Sequence, residues 1–193
     1  MKPSHYLELT LRPDVDLQPT HAMAALFCRL HLFLVASGAG NVAVSFPGAI
    51  CGAEGRALRL GDVLRLLGSD QALAPLSQKS QWGGAASVAH ISAIEPVPAQ
   101  VQHHAIRRVQ VDSNPERLIR RAMSRKGWTE LEARSRYAGA QAVHTRLPFL
   151  SLRSLSSGHS FRLFLDIGMP MPEAIEGNFN AYGLSAHATV PIF

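Results

Sequence analysis

Apolar and polar positions alternate over Tyr6–Leu11, which predicts a strand ended by Arg12-Pro13-Asp14. From Thr20 to about Ser37 the period lengthens. Met23, Leu26, Phe27, Leu30 and Leu34 recur at helical spacing on one stripe, and Gly38 and Gly40 stop the helix. Val42–Phe46 predicts a second strand, bounded by Pro47, and Arg56–Leu60 a third. Asp62–Leu67 reads as a short helix, and Ala86–Ile94 as a fourth strand closed by Glu95-Pro96-Val97-Pro98.

A strand over Ala105–Val111 opens the second half. Ser113-Asn114-Pro115-Glu116 then has capping-box spacing, with the proline where its missing N–H costs nothing. Gly127 predicts the end of that helix. Thr129-Glu130-Leu131-Glu132 is a second capping box, opening a helix to about Ala138. Phe149–Arg153 and Ser160–Asp166 read as a hairpin joined by the Ser/Gly loop Leu155–His159. The first half, in the order β-α-β-β-α-β, has the pattern of a ferredoxin-like fold. The expected class is therefore α+β: a ferredoxin-like domain over residues 1–97 and a smaller α+β domain over 98–193 that carries an arginine-rich helix.

Charge sharpens this picture. The chain has 19 Lys and Arg against 14 Asp and Glu, so 19 − 14 = +5. The segment Arg107–Lys126 holds seven basic residues (Arg107, Arg108, Arg117, Arg120, Arg121, Arg125, Lys126) against Asp112 and Glu116, so 7 − 2 = +5. One segment thus carries the whole excess, which points to a localised polyanion site. Arg117, Arg120, Arg121, Ser124 and Arg125 fall on one helical face, with Leu118, Ile119, Ala122 and Met123 on the adjacent one.

The remaining motifs mostly exclude. Walker, G-x-S-x-G and G-x-G-x-x-G loops are missing, and paired carboxylates suited to two-metal chemistry are not seen. No cofactor or metal is expected, so any RNA cleavage should proceed without metal. Cys28 and Cys51 lie in apolar stretches and read as reduced core thiols. The apolar stretch Ala22–Ala36 is broken by Arg29 and His31, and no signal peptide is legible, so a cytoplasmic protein without membrane attachment is expected. Among nine histidines, His31 stands out within the apolar first helix, although its position alone favours a hydrogen-bonded core histidine over a functional one.

Five stretches together resemble a known family. They are Arg108–Lys126, Leu147–Phe164, Asn180–Ser185, Leu30-His31 and Val44–Pro47, and the resemblance is to the CRISPR-associated repeat-processing endoribonucleases of type I-F systems. The resemblance implies a ferredoxin-like domain followed by a domain with an arginine helix. It also implies binding of a CRISPR repeat stem-loop and cleavage at the 3′ base of the stem, leaving 2′,3′-cyclic phosphate and 5′-hydroxyl ends. The enzyme would keep the hairpin as a subunit of a crRNA-guided interference complex.

Carried over to this chain, the resemblance makes His31 the catalytic histidine, Ser154 the group holding the nucleophilic 2′-hydroxyl and Tyr182 the ring placing the histidine. Phe161 would stack on the terminal base pair, and Arg108 and Gln110 would read base edges. Arg117, Arg120, Arg121, Arg125, Lys126 and Ser156 complete the expected RNA-binding set. Ser124 and Lys126 depart from the family's pattern, which has arginine and histidine there. Histidine can move protons near neutral pH, and arginine's planar fork suits phosphate and guanine. Two other readings stay open: a hairpin-RNA-binding subunit that does not cut, and a basic assembly protein.

Overall fold

The computed structural model describes residues 2–38, 40–52, 57–111, 115–138, 145–154 and 158–193. The chain divides into two compact units, residues 1–109 with 147–193, and residues 110–146. Both are built of helix and sheet or helix alone, so the α+β class holds.

The larger unit begins with β1 (His5–Leu11), α1 (Pro19–Ala36) and β2 (Val42–Ser45). A two-stranded arm follows, β3 (Ile50–Cys51) with β4 (Ala57–Arg59), then β5 (Val63–Gly68). Two four-residue helices, α2 (Asp70–Leu73) and α3 (Lys79–Trp82), alternate with 3₁₀ turns before β6 (Ala89–Ile91) and β7 (Glu95–Pro96). The first sheet runs β2-β5-β1-β6, every pair antiparallel, with β7 also paired to β1.

The second sheet takes β8 (Gln102–Val109), β9 (Phe149–Arg153), β10 (Ser160–Ile167) and β11 (Thr189–Ile192), in the order β11-β8-β10-β9 and again antiparallel. Pro191 is tolerated because β11 is an edge strand, where a missing N–H breaks no ladder bond on the open side. The smaller unit is a helical hairpin of α4 (Pro115–Lys126) and α5 (Glu130–Arg136).

The expected stripe of α1 is the buried one: Met23, Leu26, Phe27, Leu30 and Leu34 are all at most 1% exposed. With Leu7, Leu9, Leu64 and Leu66 from the first sheet and Leu150, Leu163 and Leu165 from the second they form one core. The helix touches β1 and β9, strands of both sheets. Its length and composition would let it cross a bilayer, but this buried stripe accounts for the apolarity.

Several expectations are corrected here. Asp62–Leu67 is not a helix. Its leucines favour helix in isolation, but β5 lies between β1 and β2 and is buried along nearly its whole length, so tertiary packing overrides propensity. The strand expected over Ala86–Ile94 shrinks to β6, because Gly83–Val88 closes into a 3₁₀ turn. Cys51 is exposed on the β3–β4 arm and Cys28 is half-buried, so neither is a core thiol. The expected Ser113–Glu116 cap falls partly outside the described residues. By contrast, Thr129 and Glu132 form the reciprocal capping box, and Gly127 takes φ +66° behind α4.

The faces of the two sheets also enclose polar groups. Arg65, 6% exposed, is held by Glu8 (2.7 and 2.8 Å) and by the Phe193 carbonyl oxygen (2.9 Å), with its guanidinium 3.8 Å from the Phe193 ring centroid. A buried charge survives only with such partners. Ser45 on β2 meets His104 Nε2 on β8 at 3.5 Å, both side chains buried. Burial, and secondarily the charge of neighbouring His103, pushes His104 down from 6.5 to about 4.

The folded state therefore holds His104 neutral, while the unfolded chain takes up a proton below pH 6.5. The stabilisation is full above 6.5 and is lost as pH falls toward 4. The difference is on the order of 3 kcal/mol across that window. Urea unfolding at pH 7 and pH 5 should show a marked acid loss in the wild type, and His104→Gln should flatten it. An equal slope in both proteins would show that His104 is not the group responsible.

Candidate active site

The stretch Asn180–Ser185 folds as a tight turn, and its side chains explain why. Asn180 Oδ1 accepts from the backbone N–H of Tyr182 (2.8 Å) and Leu184 (3.3 Å), while the Gly183 N–H donates to the Asn180 carbonyl (2.8 Å). Gly183 sits at φ +69° and its carbonyl accepts from the Val44 N–H of β2 at 3.0 Å. A Cβ at this position would stand 2.7 Å from Val44 Cγ1. Only glycine supplies both the left-handed backbone and the close approach. The turn is thereby locked to the edge of the first sheet.

That lock presents two groups to α1. His31 Nδ1 donates to the Ala181 carbonyl oxygen at 2.7 Å. The His31 and Tyr182 rings stack 4.0 Å apart at 6°, and Phe27, one helical turn before His31, stacks behind Tyr182 at 6.2 Å. A carbonyl can only accept, so Nδ1 carries the proton and Nε2 of the neutral ring keeps its lone pair. The backbone thus selects the tautomer. The half-buried ring has an orientation fixed on one edge by a hydrogen bond and on one face by an aromatic ring.

Two further expected residues join this group. On β10 and β8 the positions of Phe161 and Arg108 share a face with Leu163, Leu165 and Ile106, since side chains alternate along a strand. The Arg108 guanidinium lies 6.0 Å from the Tyr182 ring centroid and 5.9 Å from that of Phe161. The result is a row running His31, Tyr182, Arg108, Phe161 within one unit. Ser154 follows β9 directly. Its N–H donates to the His159 carbonyl (2.9 Å) and its carbonyl accepts from Gly158 (2.8 Å), closing the β9–β10 hairpin. Ser156 lies outside the described residues.

The other expected residues belong to the helical hairpin. Ile119 and Ala122 of α4 are buried with Ala133 of α5, and Met123, Trp128 and Tyr137 pack around them. Arg120, Arg121, Arg125 and Lys126 are exposed. All three carboxylates of residues 115–138 are engaged by groups of the α5 segment. Arg134 bonds Glu116 (2.8 Å) and Glu130 (2.9 Å), and Glu132 takes the capping bonds of Thr129. Lys126 lies 4.4 Å from the Trp128 ring centroid, a cation–π contact that holds it near the helix end. Arg117 belongs to the same helix, and Gln110 follows β8.

Among the described residues no three of His, Cys, Asp and Glu converge as a metal site would require. Sequence reading did not single out Asn180 or the Ala181 carbonyl. The signal for the first was the Asn-x-x-Gly spacing of a tight turn; for the second there was none, because a main-chain oxygen leaves no mark in a sequence.

Comparison with known proteins bears on this arrangement. Residues 6–193 match the family described as CRISPR-associated protein (Cas_Csy4). The chain is 42% identical over 190 residues to the CRISPR-associated endonuclease Cas6/Csy4 of Escherichia coli (strain UTI89 / UPEC), covering 98% of this chain and 99% of that one. It is also 42% identical over 191 residues to the CRISPR-associated endonuclease Cas6/Csy4 of Pseudomonas aeruginosa (strain UCBPP-PA14), with 98% and 99% covered.

Gly183→Ala should cost at least the roughly 1–2 kcal/mol of a left-handed non-glycine residue, with the Val44 clash added. The expected readout is a lower urea midpoint together with loss of the His31 tautomer signature in ¹⁵N-detected histidine spectra. A variant with unchanged histidine shifts would show that the turn does not hold the ring.

Proposed function

The chain belongs to the Cas_Csy4 family of CRISPR-associated proteins, and we propose that it is the endoribonuclease that processes CRISPR repeat RNA. The substrate is the stem-loop of the repeat in the precursor transcript, cut at the 3′ base of the stem. The observation that carries the reading is His31, its tautomer set by the Ala181 carbonyl and its face covered by Tyr182.

The chemistry follows from that geometry. Nε2 accepts the proton of the 2′-hydroxyl, the 2′-oxygen attacks the adjacent phosphorus, and the bond from phosphorus to the 5′-oxygen breaks. The imidazolium can return its proton to the leaving 5′-oxygen. The products are a 2′,3′-cyclic phosphate and a 5′-hydroxyl, with no metal in any step. Ser154 holds the 2′-oxygen in line, which lowers the orientation cost. Phe161 supplies a stacking surface for the terminal base pair of the stem, and Arg108 and Gln110 contact base edges close to it.

Arg117, Arg120, Arg121, Arg125 and Lys126 follow the phosphates of the stem, with Ser156 a further contact. A-form RNA has a deep and narrow major groove, so α4 must gain entry at the open end of the stem or where the groove is widened. The hairpin stays bound after cutting, and the protein remains with it as a subunit of a crRNA-guided complex. Two features support a ferredoxin-like reading of the first half: the strand order β2-β5-β1-β6 and its uniformly antiparallel pairing. The proposed modules are residues 1–97 around the first sheet and 98–193 around the second, the helical hairpin being carried between β8 and β9.

Purified protein incubated with repeat hairpins should cut in EDTA as fast as in magnesium. His31→Ala should slow single-turnover cleavage roughly 10²–10⁴-fold while hairpin affinity stays within a few-fold. If His31→Ala cuts at the wild-type rate, His31 is not catalytic. If the wild type binds hairpins but cuts none, the chain is a non-cleaving RNA-binding subunit.

Binding itself should be steep in salt. Arg120→Ala or Arg121→Ala should flatten the slope of log K against log salt by roughly 0.7–0.9 for each phosphate contact removed. Arg108→Ala should instead relax discrimination at one base pair by about 1–3 kcal/mol. The same sequence-blind loss in all three variants would remove Arg108 as a reader.

A further inference from the structure

The second sheet has another face, and none of the proposed catalytic or hairpin-binding residues lies on it. Strand alternation and register place Phe149 opposite Phe164, Arg153 opposite Ser160, Ser151 opposite Arg162 and Asp166 opposite Arg107, all turned away from the leucines of the core. Phe149 is 39% exposed, an uncommon position for a large aromatic ring on a sheet surface. Its ring packs against Phe164 at 5.3 Å, and the Arg162 guanidinium lies over it at 4.8 Å.

Among the described residues of this patch the one carboxylate, Asp166, is bonded by Arg107 at 2.6 and 2.8 Å. Arg153 and Arg162 therefore give the patch a net positive charge next to two phenylalanines. Arg153 also donates to the Gly158 carbonyl at 2.9 Å, which holds its stem along the hairpin end.

We infer that this face is a binding platform for single-stranded RNA. Exposed aromatic rings on a four-stranded sheet bind unpaired bases by stacking, and adjacent guanidinium groups add phosphate contact and cation–π attraction. Duplex RNA does not fit the same description, because its bases are already stacked and only its backbone is accessible. A protein partner could also use phenylalanine and arginine, but it would leave oligouridine affinity unchanged in variants of this face.

The inference rests on the proposed processing of a precursor transcript, whose hairpins are joined by unpaired segments. β10 links the two sites directly. Phe161 points to the proposed stem end, and Arg162 and Phe164, one and three residues further along the strand, point to the opposite face. Unpaired RNA leaving the stem could be captured by the reverse side of the strand that supports the stem.

The test uses the full-length chain and three labelled RNAs: a repeat hairpin, the same hairpin with a single-stranded extension, and an oligouridine strand. Phe149→Ala and Arg162→Gln should each weaken oligouridine binding, with loss of a stacked base worth roughly 5- to 150-fold. Both should abolish the gain in affinity given by the extension and leave the bare hairpin unaffected. Phe149→Leu keeps apolar contact with Phe164 and serves where alanine lowers stability; it should still weaken oligouridine binding. Irradiation of 5-iodouridine-substituted strand should crosslink to Phe149 or Phe164.

Oligouridine affinity unchanged in all three variants, or crosslinks only elsewhere, would overturn the platform. Cleavage of the bare hairpin by the wild type is read separately. Cutting without any effect of the variants refutes this inference alone, and platform binding without cutting refutes the processing function alone.

Discussion

The hydrogen bond from His31 to the Ala181 carbonyl is the constraint on which the proposed chemistry depends, and much of the larger unit serves to hold it. The donor is carried by a helix whose buried stripe is fixed against both sheets. The acceptor belongs to a turn pinned by the Asn180 side chain and by Gly183 against Val44. Neither element could shift by even half an ångström without lengthening a 2.7 Å bond or opening the 4.0 Å ring stack. Packed interiors resist such shifts, because neighbouring side chains leave no room for them. Rigidity here comes from the core, and the site inherits it.

The molecule divides its physical tasks between units of different character. Bond making requires atoms positioned to within fractions of an ångström, and the proposed catalytic groups lie on the unit with the large apolar core. Holding a polyanion requires charge density and tolerates looser placement, since phosphate attraction is long-ranged and falls gradually with distance. The helical hairpin, with a small core around Ile119, Ala122 and Ala133, is adequate for that. Its carboxylates are drawn into capping and ion pairs with α5, which leaves the exposed arginines of α4 for the proposed RNA contacts.

What the sequence revealed follows the range of the interactions involved. The stripe of α1, the capping box at Thr129, the stop at Gly127 and the β9–β10 hairpin are local, and each is legible from a few neighbouring residues. β5 is not local: leucines at Leu64, Leu66 and Leu67 are consistent with either period until β1 and β2 are placed beside them. β11 was missed as a strand because Pro191 argues against one unless its edge position is known. In the site, His31, Tyr182, Arg108 and Phe161 were identified by resemblance, and folding brings them into one row. The Ala181 carbonyl that gives His31 its direction was invisible, as were the pairing of Ser45 with His104 and the Arg65 cluster, each of which joins residues more than fifty positions apart.

His104 and His31 show why residue type alone could not separate a structural histidine from a proposed catalytic one. His31 lies on α1 against the Asn180–Ser185 turn and His104 on β8 facing β2, and both have a hydrogen-bonding neighbour. His104 is buried beside Ser45, and the same burial that makes it a good packing element makes its charged form expensive. A ring held neutral down to about pH 4 does not take up a proton at physiological pH, so it cannot serve as a base there. His31 is half-buried, and its bound neighbour is a carbonyl, which accepts from Nδ1 whether the ring is neutral or charged. The carbonyl therefore keeps its hydrogen bond through both halves of a proton-transfer cycle, and the ring need not move between them. A serine hydroxyl donating to a ring nitrogen, as Ser45 can to His104 Nε2, would have to reverse its bond each time the nitrogen gained a proton. The partner atom, more than the histidine, decides which ring can cycle.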